Sequence, residues 1–436
     1  MKISLNNLRN KSFAIYGLGI TGRSIIKFFN KNGIKNYNIW DDNNKIKKKY
    51  FGKKIKKKRK EFINSIQSSD FILVSPGINI KNSKMRNILE KNKEKIITDL
   101  DLFYLSNPFI RSIVVTGTNG KSTTCKILEH ILKKNNFNTG IGGNIGNPIL
   151  NSKIKRKSLM VIEASSFQLA YSKFIKPNYA LLLNITKDHL DWHGSMKNYI
   201  NSKFKIFRLQ NKNNFALINS KSFIRNFKKN KYLSIIKFVK IKEYKKIKNE
   251  IKNDYLNLEA NDENMSFIYT LSKMLKIKKN SFIKSLSSFK GLSHRYEIFY
   301  KKNKKTFIND SKATTFEATK FALRNRNNIF WIVGGLPKKG DRIRISKLKK
   351  NIVKAYIIGK NKKYFAKYLD KKVDFLLAGN LKKALLSISG DIKKYSKKEN
   401  TILLSPASAS YDQFRNFEDR GNQFKKLVKK YARKFV

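Results

Sequence analysis

The chain has 436 residues, of which 40% are hydrophobic, and this composition excludes wholesale disorder because it can build ordinary cores. It carries 96 Lys and Arg against 29 Asp and Glu, a formal net charge of +67 at pH 7, but the lysines are spread along the chain among many Asn, Ile, Phe and Tyr residues. This spread favours a codon bias over a basic arm for nucleic acid, so we expect no nucleic-acid partner. The single cysteine, Cys125, excludes an intrachain disulfide, and the lack of an apolar signal core or an apolar run of about 18 residues predicts a cytoplasmic chain without a membrane span.

The first predicted element is the strand FAIY, which a glycine turn and a helix follow. The turn GLGITG at residues 17–22 matches G-x-G-x-x-G, and Asp41 ends the next predicted strand. This is the context of the dinucleotide fingerprint, which by itself favours a nicotinamide-dependent oxidoreductase. A UDP-sugar suits the same turn, because glycines let backbone N–H groups and a helix N-terminus approach any diphosphate.

A second strand-loop-helix unit follows, with the loop TGTNGKS at residues 116–122. The usual Walker pattern is G-x-x-x-x-G-K-[ST], and Val115 stands where its first glycine would be. The loop amides can still wrap phosphate oxygens, while Lys121 offsets their charge and Ser122 Oγ can coordinate Mg²⁺. The structural alternative is a helix N-cap, a position that Ser and Asn favour.

Two further side chains fall at the carboxyl ends of predicted strands. Glu163 ends the strand LMVIE, and His189 follows the strand YALLLNIT. Open α/β sheets bind ligands at this end of their strands, so with the loop the two residues indicate metal or phosphate binding. Separately, Glu163 could be a capping acid and His189 a loop residue. Two nucleotide-type loops favour an ATP enzyme with a second nucleotide-bearing substrate over a simple dehydrogenase.

After about residue 298 the alternation of short apolar runs and helical stretches starts again. Such an alternation predicts an α/β protein with parallel sheets throughout. At roughly 150 residues per domain, the length agrees with three domains. The predicted domains are a Rossmann-like N-terminal domain at 1–105, a central P-loop ATPase-like parallel-sheet domain at 106–297, and a C-terminal Rossmann-like domain at 298–436.

Several motifs resemble the Mur ligase family. The general family motifs are TGTNGKST, GGNIG at 142–146, EASSFQL at 163–169 and NITKDHLDWHGSMKNYINSK at 184–203. The motifs that resemble its D-glutamate-adding branch are SPGI at 75–78, GLSHR at 291–295, NDSKATT at 309–315 and SPASASYDQFRNFEDRG at 405–421. The resemblance spans nearly the whole chain, and the short phosphate loop is the family's own form.

The resemblance implies a monomeric, ATP-dependent ligase that adds D-glutamate to UDP-N-acetylmuramoyl-L-alanine in peptidoglycan precursor synthesis. In that reaction the substrate carboxylate attacks the γ-phosphate of ATP, and the amine of D-glutamate attacks the resulting acyl phosphate. Two Mg²⁺ ions are implied as cofactors. Another Mur ligase or a folylpolyglutamate-type ligase is the alternative, although the D-N-P-R motif of the diaminopimelate- or lysine-adding enzyme is missing from the sequence.

The site residues that follow are those implied by the resemblance. For ATP they are Gly117, Thr118, Asn119, Gly120, Lys121, Ser122, Thr123, Asn261, Asn264, Arg295 and Asp310. For the UDP substrate they are Leu18, Ile20, Thr21, Asp41, Gly77, Asn144 and His189. For D-glutamate they are Thr314, Lys338, Ser410 and Phe417, with Lys312 near the phosphate. The implied metal ligands are Ser122, Glu163, His189 and Lys203 as a carbamate, and the implied catalytic residues are Lys121, His189 and Lys203.

The chain departs from the family pattern in three places. Ala260 stands where histidine is common, and Asp42 stands where threonine or arginine often follows the aspartate. The loop GGLPKKGD replaces a form richer in glycine and aspartate, and within it spacing selects Lys338 over Lys339.

Overall fold

The structure is a computed structural model that describes residues 5–49, 55, 58–144, 147–152, 154–155, 157–253, 255–257, 259–338, 340–341, 343–395 and 399–435. The chain forms two compact units, Met1–Phe289 and Lys290–Val436. Three separate sheets with surrounding helices confirm the predicted α/β class. The domain boundaries at 105/106 and 297/298 stay predictions. Within the described ranges, no helix is long and apolar enough to cross a membrane.

The first unit begins with a four-stranded parallel sheet in the order β2-β1-β3-β4. Its strands are β1 Phe13–Tyr16, β2 Tyr37–Trp40, β3 Phe71–Val74 and β4 Ile96–Ile97. Its helices are α1 Leu5–Arg9, α2 Ile20–Lys31, α3 Asn44–Lys49, α4 Arg59–Ser68, α5 Arg86–Lys91 and α6 Asp99–Ser106. Because β1 lies between β2 and β3, the chain changes direction across the sheet at β1, and the turn after β1 opens at this switch point.

The second sheet of this unit has six parallel strands in the order β10-β9-β8-β5-β7-β6. Its strands are β5 Arg111–Thr116, β6 Thr139–Gly143, β7 Leu159–Glu163, β8 Tyr179–Leu182, β9 Phe215–Ile218 and β10 Ile235–Phe238. Its helices are α7 Lys121–Lys134, α8 Ser166–Tyr171, α9 Leu190–His193, α10 Met196–Phe204, α11 Lys221–Lys229, α12 Ile241–Lys248, α13 Asp262–Met274 and α14 Lys279–Ser287.

Strand β5 is anchored at the centre of this sheet. Ile113, Val114 and Val115 are fully buried, and burial of each such side chain stabilises the fold by about 1.5–3 kcal/mol. The phosphate loop that follows β5 therefore starts from a fixed point. Its neighbours are the end of β7 on one side and the segment after β8 on the other.

The second unit contains a six-stranded sheet in the order β11-β12-β16-β13-β14-β15. Its strands are β11 Glu297–Lys302, β12 Lys305–Asn309, β13 Ile329–Gly334, β14 Ile352–Ile358, β15 Phe375–Gly379 and β16 Asn400–Leu404. Its helices are α15 Phe316–Arg324, α16 Lys362–Leu369, α17 Leu381–Asp391 and α18 Phe417–Tyr431.

The expectation of parallel sheets throughout is wrong for one strand of this unit. Strands β11 and β12 pair antiparallel, and only Asn303 and Lys304 connect them. Both connecting residues have positive φ values, 45° and 58°, as a tight hairpin turn requires. A parallel pair needs a crossover of a dozen or more residues, so a two-residue link can only join antiparallel strands.

Candidate active site

The phosphate loop lies between β5 and α7, and its conformation depends on Gly120. This residue has φ 83°, and a Cβ placed on it would lie 2.0 Å from Oδ1 of Asn264. Asn264 is buried on α13, so this helix packs directly over the loop. Asn261, the other asparagine of the predicted ATP pair, is also buried, and its Nδ2 donates to the carbonyl of Tyr255 at 2.6 Å. Of the two asparagines, Asn264 is therefore the one that packs against the phosphate loop.

Two lysines from different helices meet at one carbonyl of the loop. Lys121 Nζ donates to the carbonyl oxygens of Gly117 and Thr118, each at 2.8 Å. Lys203 Nζ, from α10, donates to the same Gly117 oxygen at 2.7 Å. Lys203 is 1% exposed, and burial followed by the charge of Lys121 lowers the pKa of its amine to about 6.

The predicted metal ligand Glu163 is buried at the end of β7, which pairs with β5. Its Oε1 accepts a hydrogen bond from Asn144 Nδ2 at 2.9 Å. Its Oε2 is buried and has no hydrogen-bond partner within the described part of the chain. An unsatisfied buried carboxylate oxygen is costly, so this atom is suited to a cation or a donor from a ligand.

His189 lies at the start of α9 in the left-handed region, with φ 51°. Its Nε2 is 3.4 Å from Asp188 Oδ2, and its ring centroid is 4.7 Å from that of Phe167 and 6.4 Å from that of Tyr199. Tyr199 also carries the Lys203 Nζ at 4.6 Å from its ring centroid. One aromatic side chain thus connects two of the three predicted catalytic residues.

His193 is a residue of this region that the sequence interpretation missed. It is 4% exposed, and its Nε2 is 3.0 Å from Ser166 Oγ. Its ring stacks on Phe167 at 5.8 Å, and burial lowers its pKa to about 4. Its place in the same short segment as His189, DHLDWHG, was the only local signal for it.

A second missed group fixes the other side of the phosphate loop. The amide of Thr118 donates to the carbonyl of Asn184 at 2.8 Å, and the amide of Asn119 donates to Asn184 Oδ1 at 2.9 Å. The carboxylate of Glu263 accepts from Asn184 Nδ2 at 2.8 Å and from Asn219 Nδ2 at 2.7 Å. Glu263 thereby joins α13 to the ends of β8 and β9. Asn184 opens one of the motifs quoted above, but no local pattern links it to Glu263 or Asn219, because only the sheet order brings them together.

The first glycine turn opens into a cavity of about 470 Å³ within the first unit. Five of the residues predicted for the UDP substrate line it: Ile20, Thr21, Asp41, Gly77 and Asn144. Leu18 is buried, and its backbone N–H donates to Asp41 Oδ2 at 2.7 Å. His189 is not among the lining residues, whereas Ser75 and Gln168, which were not predicted, are.

Asp42, which departs from the family pattern, forms part of the same cavity wall. One of its carboxylate oxygens accepts a short hydrogen bond from the Tyr16 hydroxyl, and the other accepts from Trp40 Nε1 at 2.9 Å. Burial, and then the bond to Asp42, raises the pKa of Tyr16 well above its usual value. Both oxygens of the Asp42 carboxylate therefore already accept hydrogen bonds from side chains of the protein.

In the second unit, the loops with the residues predicted for D-glutamate are joined through their backbones. Leu336 and Ala409 exchange two N–H···O bonds, each of 2.9 Å, which brings the loop of Lys338 beside that of Ser410. Lys338 is exposed, whereas Ser410 is buried. Thr314 is half-buried on the loop after β12.

Phe417 begins α18 and contacts two residues of the NDSKATT motif. The Lys312 Nζ lies 3.6 Å from the centroid of the Phe417 ring. Ser311 Oγ donates to the carbonyl of Phe417 at 2.8 Å. The start of α18 is thus fixed to the loop after β12.

Comparison with known proteins agrees with this arrangement. The family model for the Mur ligase middle domain matches residues 115–284, and the model for the Mur ligase MurD-like N-terminal domain matches residues 11–97. UDP-N-acetylmuramoylalanine–D-glutamate ligase of Rickettsia prowazekii is 34% identical over 98% of this chain and 100% of its own length. The enzyme of the same name from Buchnera aphidicola is 36% identical, with 97% of this chain and 99% of that protein covered.

The chain belongs to the UDP-N-acetylmuramoylalanine–D-glutamate ligase (MurD) family of Mur ligases. Solved Mur ligase structures share its fold at low sequence identity. The MurC structure from Thermotoga maritima has a TM-score of 0.56 at 17% identity and covers 97% of this chain and 99% of that one. A MurF structure from Acinetobacter baumannii has a TM-score of 0.57 at 16% identity and covers 86% and 89%.

In this MurD-family chain, the buried carboxyl group of Asp310 should make the stability of the folded protein depend on pH. Asp310 is buried, and burial raises its pKa to about 7 although Ser405 Oγ and the Tyr296 amide donate to its carboxylate at 2.7 and 3.0 Å. Because the folded pKa lies above the unfolded value of about 3.9, the contribution of Asp310 to stability is complete below pH 4 and is lost as the pH rises through 7. We therefore expect the Tm of wild type to fall relative to the Tm of Asp310→Asn as the pH rises from 5 to 8. Each kcal/mol lost from the free energy of unfolding would lower the Tm of wild type by about 2–4 °C relative to the variant.

Calorimetry of the two proteins in matched buffers measures this difference. Other buried groups, such as Asp99 with its pKa raised to about 6, titrate equally in both proteins and cancel. Parallel curves of Tm against pH would contradict the prediction.

Proposed function

We propose that this chain is an ATP-dependent ligase that joins D-glutamate to UDP-N-acetylmuramoyl-L-alanine in peptidoglycan precursor synthesis. The proposal is carried by the meeting of Lys121 and Lys203 at the Gly117 carbonyl. The Lys121 ammonium in a glycine-rich loop is suited to polyphosphate, and the buried Lys203 amine beside it is suited to carbamylation. The family relationship supports the choice of substrates, and one of the Mur ligases that share the fold, the MurF of Thermotoga maritima, was solved in complex with ADP.

The chemistry requires activation of a carboxylate, because its carbonyl is not electrophilic and oxide is not a workable leaving group. The alanyl carboxylate attacks the γ-phosphorus of ATP, ADP leaves, and an acyl phosphate forms. The amine of D-glutamate then attacks the acyl carbon, loses a proton, and expels inorganic phosphate as the amide forms. The amides of Thr118 and Asn119 donate to Asn184, so the amides at the start of α7 hold the phosphate oxygens. Lys121 offsets the charge that builds on the transferred phosphoryl group.

Mg²⁺ fits the residues near the loop. Within the described residues no group of three or more His, Cys, Asp or Glu could hold a metal ion, so a cage made only of such side chains is not part of this proposal. Mg²⁺ is commonly bound through one or two carboxylates together with water and substrate phosphates. The Glu163 oxygen that has no partner in the described part of the chain suits this mode, and Ser122, His189 and carbamylated Lys203 would complete two sites. The ions would screen phosphate charge during transfer.

Carbamylation of Lys203 is part of the proposal. An amine must be unprotonated to add CO₂, and burial favours the neutral form. The Lys203 amine is buried next to Lys121 and has a pKa of about 6. The carbamate would place an anion beside the Lys121 ammonium, at a position where a second ammonium group is disfavoured.

The predicted D-glutamate contacts lie in the second unit. A doubly anionic amino acid needs cationic and hydroxyl partners at both carboxylates. Lys338, Thr314 and Ser410 offer these groups, and Ser311 holds the backbone at Phe417 to the loop that contains Thr314. We further propose that the enzyme works as a monomer. We also propose that it works in the cytoplasm, with which its single buried cysteine thiol is consistent.

The function is tested by phosphate release with ATP, Mg²⁺ and UDP-N-acetylmuramoyl-L-alanine. D-glutamate, L-glutamate, L-lysine and diaminopimelate are offered in parallel reactions. We expect D-glutamate to give phosphate and product in equal amounts, and each other amine to react at least about 100-fold more slowly, which is about 2.7 kcal/mol of discrimination. A preference for another amine would favour a different Mur or folylpolyglutamate-type ligase, and indifference to the amine would refute the D-glutamate assignment.

A further inference from the structure

Arg420, in the first turns of α18, is a buried cation that the proposed chemistry does not use. It is 1% exposed and is among the largest fully buried side chains. Its Nε donates to Ser311 Oγ at 3.0 Å, and its Nη2 donates to the carbonyl oxygens of Ser311 and Ser408 at 2.8 and 2.9 Å. Its Nη1 is buried without a hydrogen-bond partner among the residues described.

These bonds join α18, which begins at Phe417, to two of the loops that hold the other predicted D-glutamate contacts. Ser311 precedes Thr314 on one loop, and Ser408 precedes Ser410 on another. The third segment is the loop of Lys338, where a Cβ placed on Gly335 would lie 2.6 Å from Ser408 Oγ and 3.4 Å from Arg420 Nη1. The guanidinium therefore lies at the point where the three segments converge.

The charge of Arg420 has no ion-pair partner within the described residues. Burial lowers its pKa to about 10, with an opposing attraction from Asp412, so it is charged at neutral pH. The Asp412 carboxylate itself accepts from the amide of Lys360 at 2.9 Å. A buried cation without a counter-ion is costly, and a bound dianion nearby lowers that cost.

We propose that Arg420 is a positioning residue of the amino-acid site and that its buried charge makes the site favour dianionic over monoanionic amino acids. The inference rests on the D-glutamate assignment made above. Arg420 acts through Ser311 and Ser408, which set the loops, and through its field, which the low dielectric of the interior preserves. Lysine could supply the charge but not the fork that serves three acceptors.

The test compares Arg420→Met, which removes the charge, with Arg420→Lys, which keeps it. Arg324→Met, at the exposed end of α15, is the matched control. KM is measured for D-glutamate, ATP and the UDP substrate. Inhibition constants against D-glutamate are measured for glutarate, a dianion, and for its monoamide, a monoanion.

For Arg420→Met we expect the KM for D-glutamate and the inhibition constant of glutarate to rise about 10- to 100-fold, and that of the monoamide to rise less. The KM values for ATP and the UDP substrate should stay within about threefold of wild type. Arg420→Lys should raise the KM for D-glutamate while it keeps the preference for glutarate over the monoamide. Arg324→Met should match wild type in every constant.

Several results would overturn this inference. A wild-type KM for D-glutamate in Arg420→Met would remove the positioning role. An equal rise for glutarate and the monoamide would remove the role of the charge, because loop disorder alone weakens both ligands alike. If Arg420→Met does not fold, loss of the glutarate preference in folded Arg420→Lys would have the same meaning. Failure of the D-glutamate assignment itself would be seen separately, in the wild-type protein.

Discussion

Replacing Lys121 with alanine is expected to abolish ATP-dependent phosphate release, with a loss of about 10³-fold or more. The Lys121 ammonium hydrogen-bonds to the Gly117 and Thr118 carbonyls and so lies at the loop itself. Without it, no fixed cation from the loop offsets the charge of the transferred phosphoryl group. The measurement is phosphate release under saturating ATP and UDP substrate, together with ATP binding by calorimetry.

Lys126→Ala is the matched control for this variant. Lys126 lies on the same helix, α7, and its Nζ forms a partly exposed ion pair with Glu129 at 3.1 Å. Such pairs contribute at most about 1 kcal/mol to the stability of the fold, so Lys126→Ala should stay folded and keep wild-type turnover. Turnover in Lys121→Ala within tenfold of wild type would contradict the assignment of the loop.

The second large effect is expected at Lys203. Lys203→Ala should lose about 10²- to 10³-fold in phosphate release, because it removes the proposed carbamate ligand beside the loop. Small carboxylic acids such as formate and acetate should partly restore the activity. They can place an anionic oxygen in the space that the side chain leaves. Turnover as a function of added acid gives the measurement.

Lys197→Ala provides the comparison, since Lys197 lies exposed on the same helix, α10. It should resemble wild type and should not respond to added acids. A Lys203→Ala enzyme with normal turnover would remove the carbamate role. Loss of activity without any rescue in a folded protein would also contradict it.

The glycine turns and strand ends could be predicted from the sequence because each depends on a few neighbouring residues. Gly120 must adopt φ 83°, and only a short local pattern is needed to recognise the turn that it forms. The alternation of apolar runs was sufficient for the α/β class. It was not sufficient for β11, because a two-residue hairpin leaves no helical stretch to mark the change in direction.

The side chains that support the site were much harder to predict. Glu263 and Asn184 are separated by 79 residues and His193 and Ser166 by 27, so their hydrogen bonds exist only after the helices have packed on the sheet. The sequence also did not show which side chains surround the first glycine turn, because the cavity there is lined by distant segments. Only there did Ser75 and Gln168 join the predicted residues.

The sequence by itself determined the α/β class, the two glycine turns and the lysine of the phosphate loop, because local backbone geometry dictates which residues can form them. Only the tertiary structure decided which distant basic side chains reach the loops of the candidate sites. Lys203 reaches the Gly117 carbonyl across 86 residues, and Arg420 reaches Ser311 across 109. Both depend on burial for their properties, since exclusion of water lowers the pKa of the Lys203 amine and leaves the charge of Arg420 unscreened. Burial is a property of the packed chain, and no local stretch of sequence specifies it.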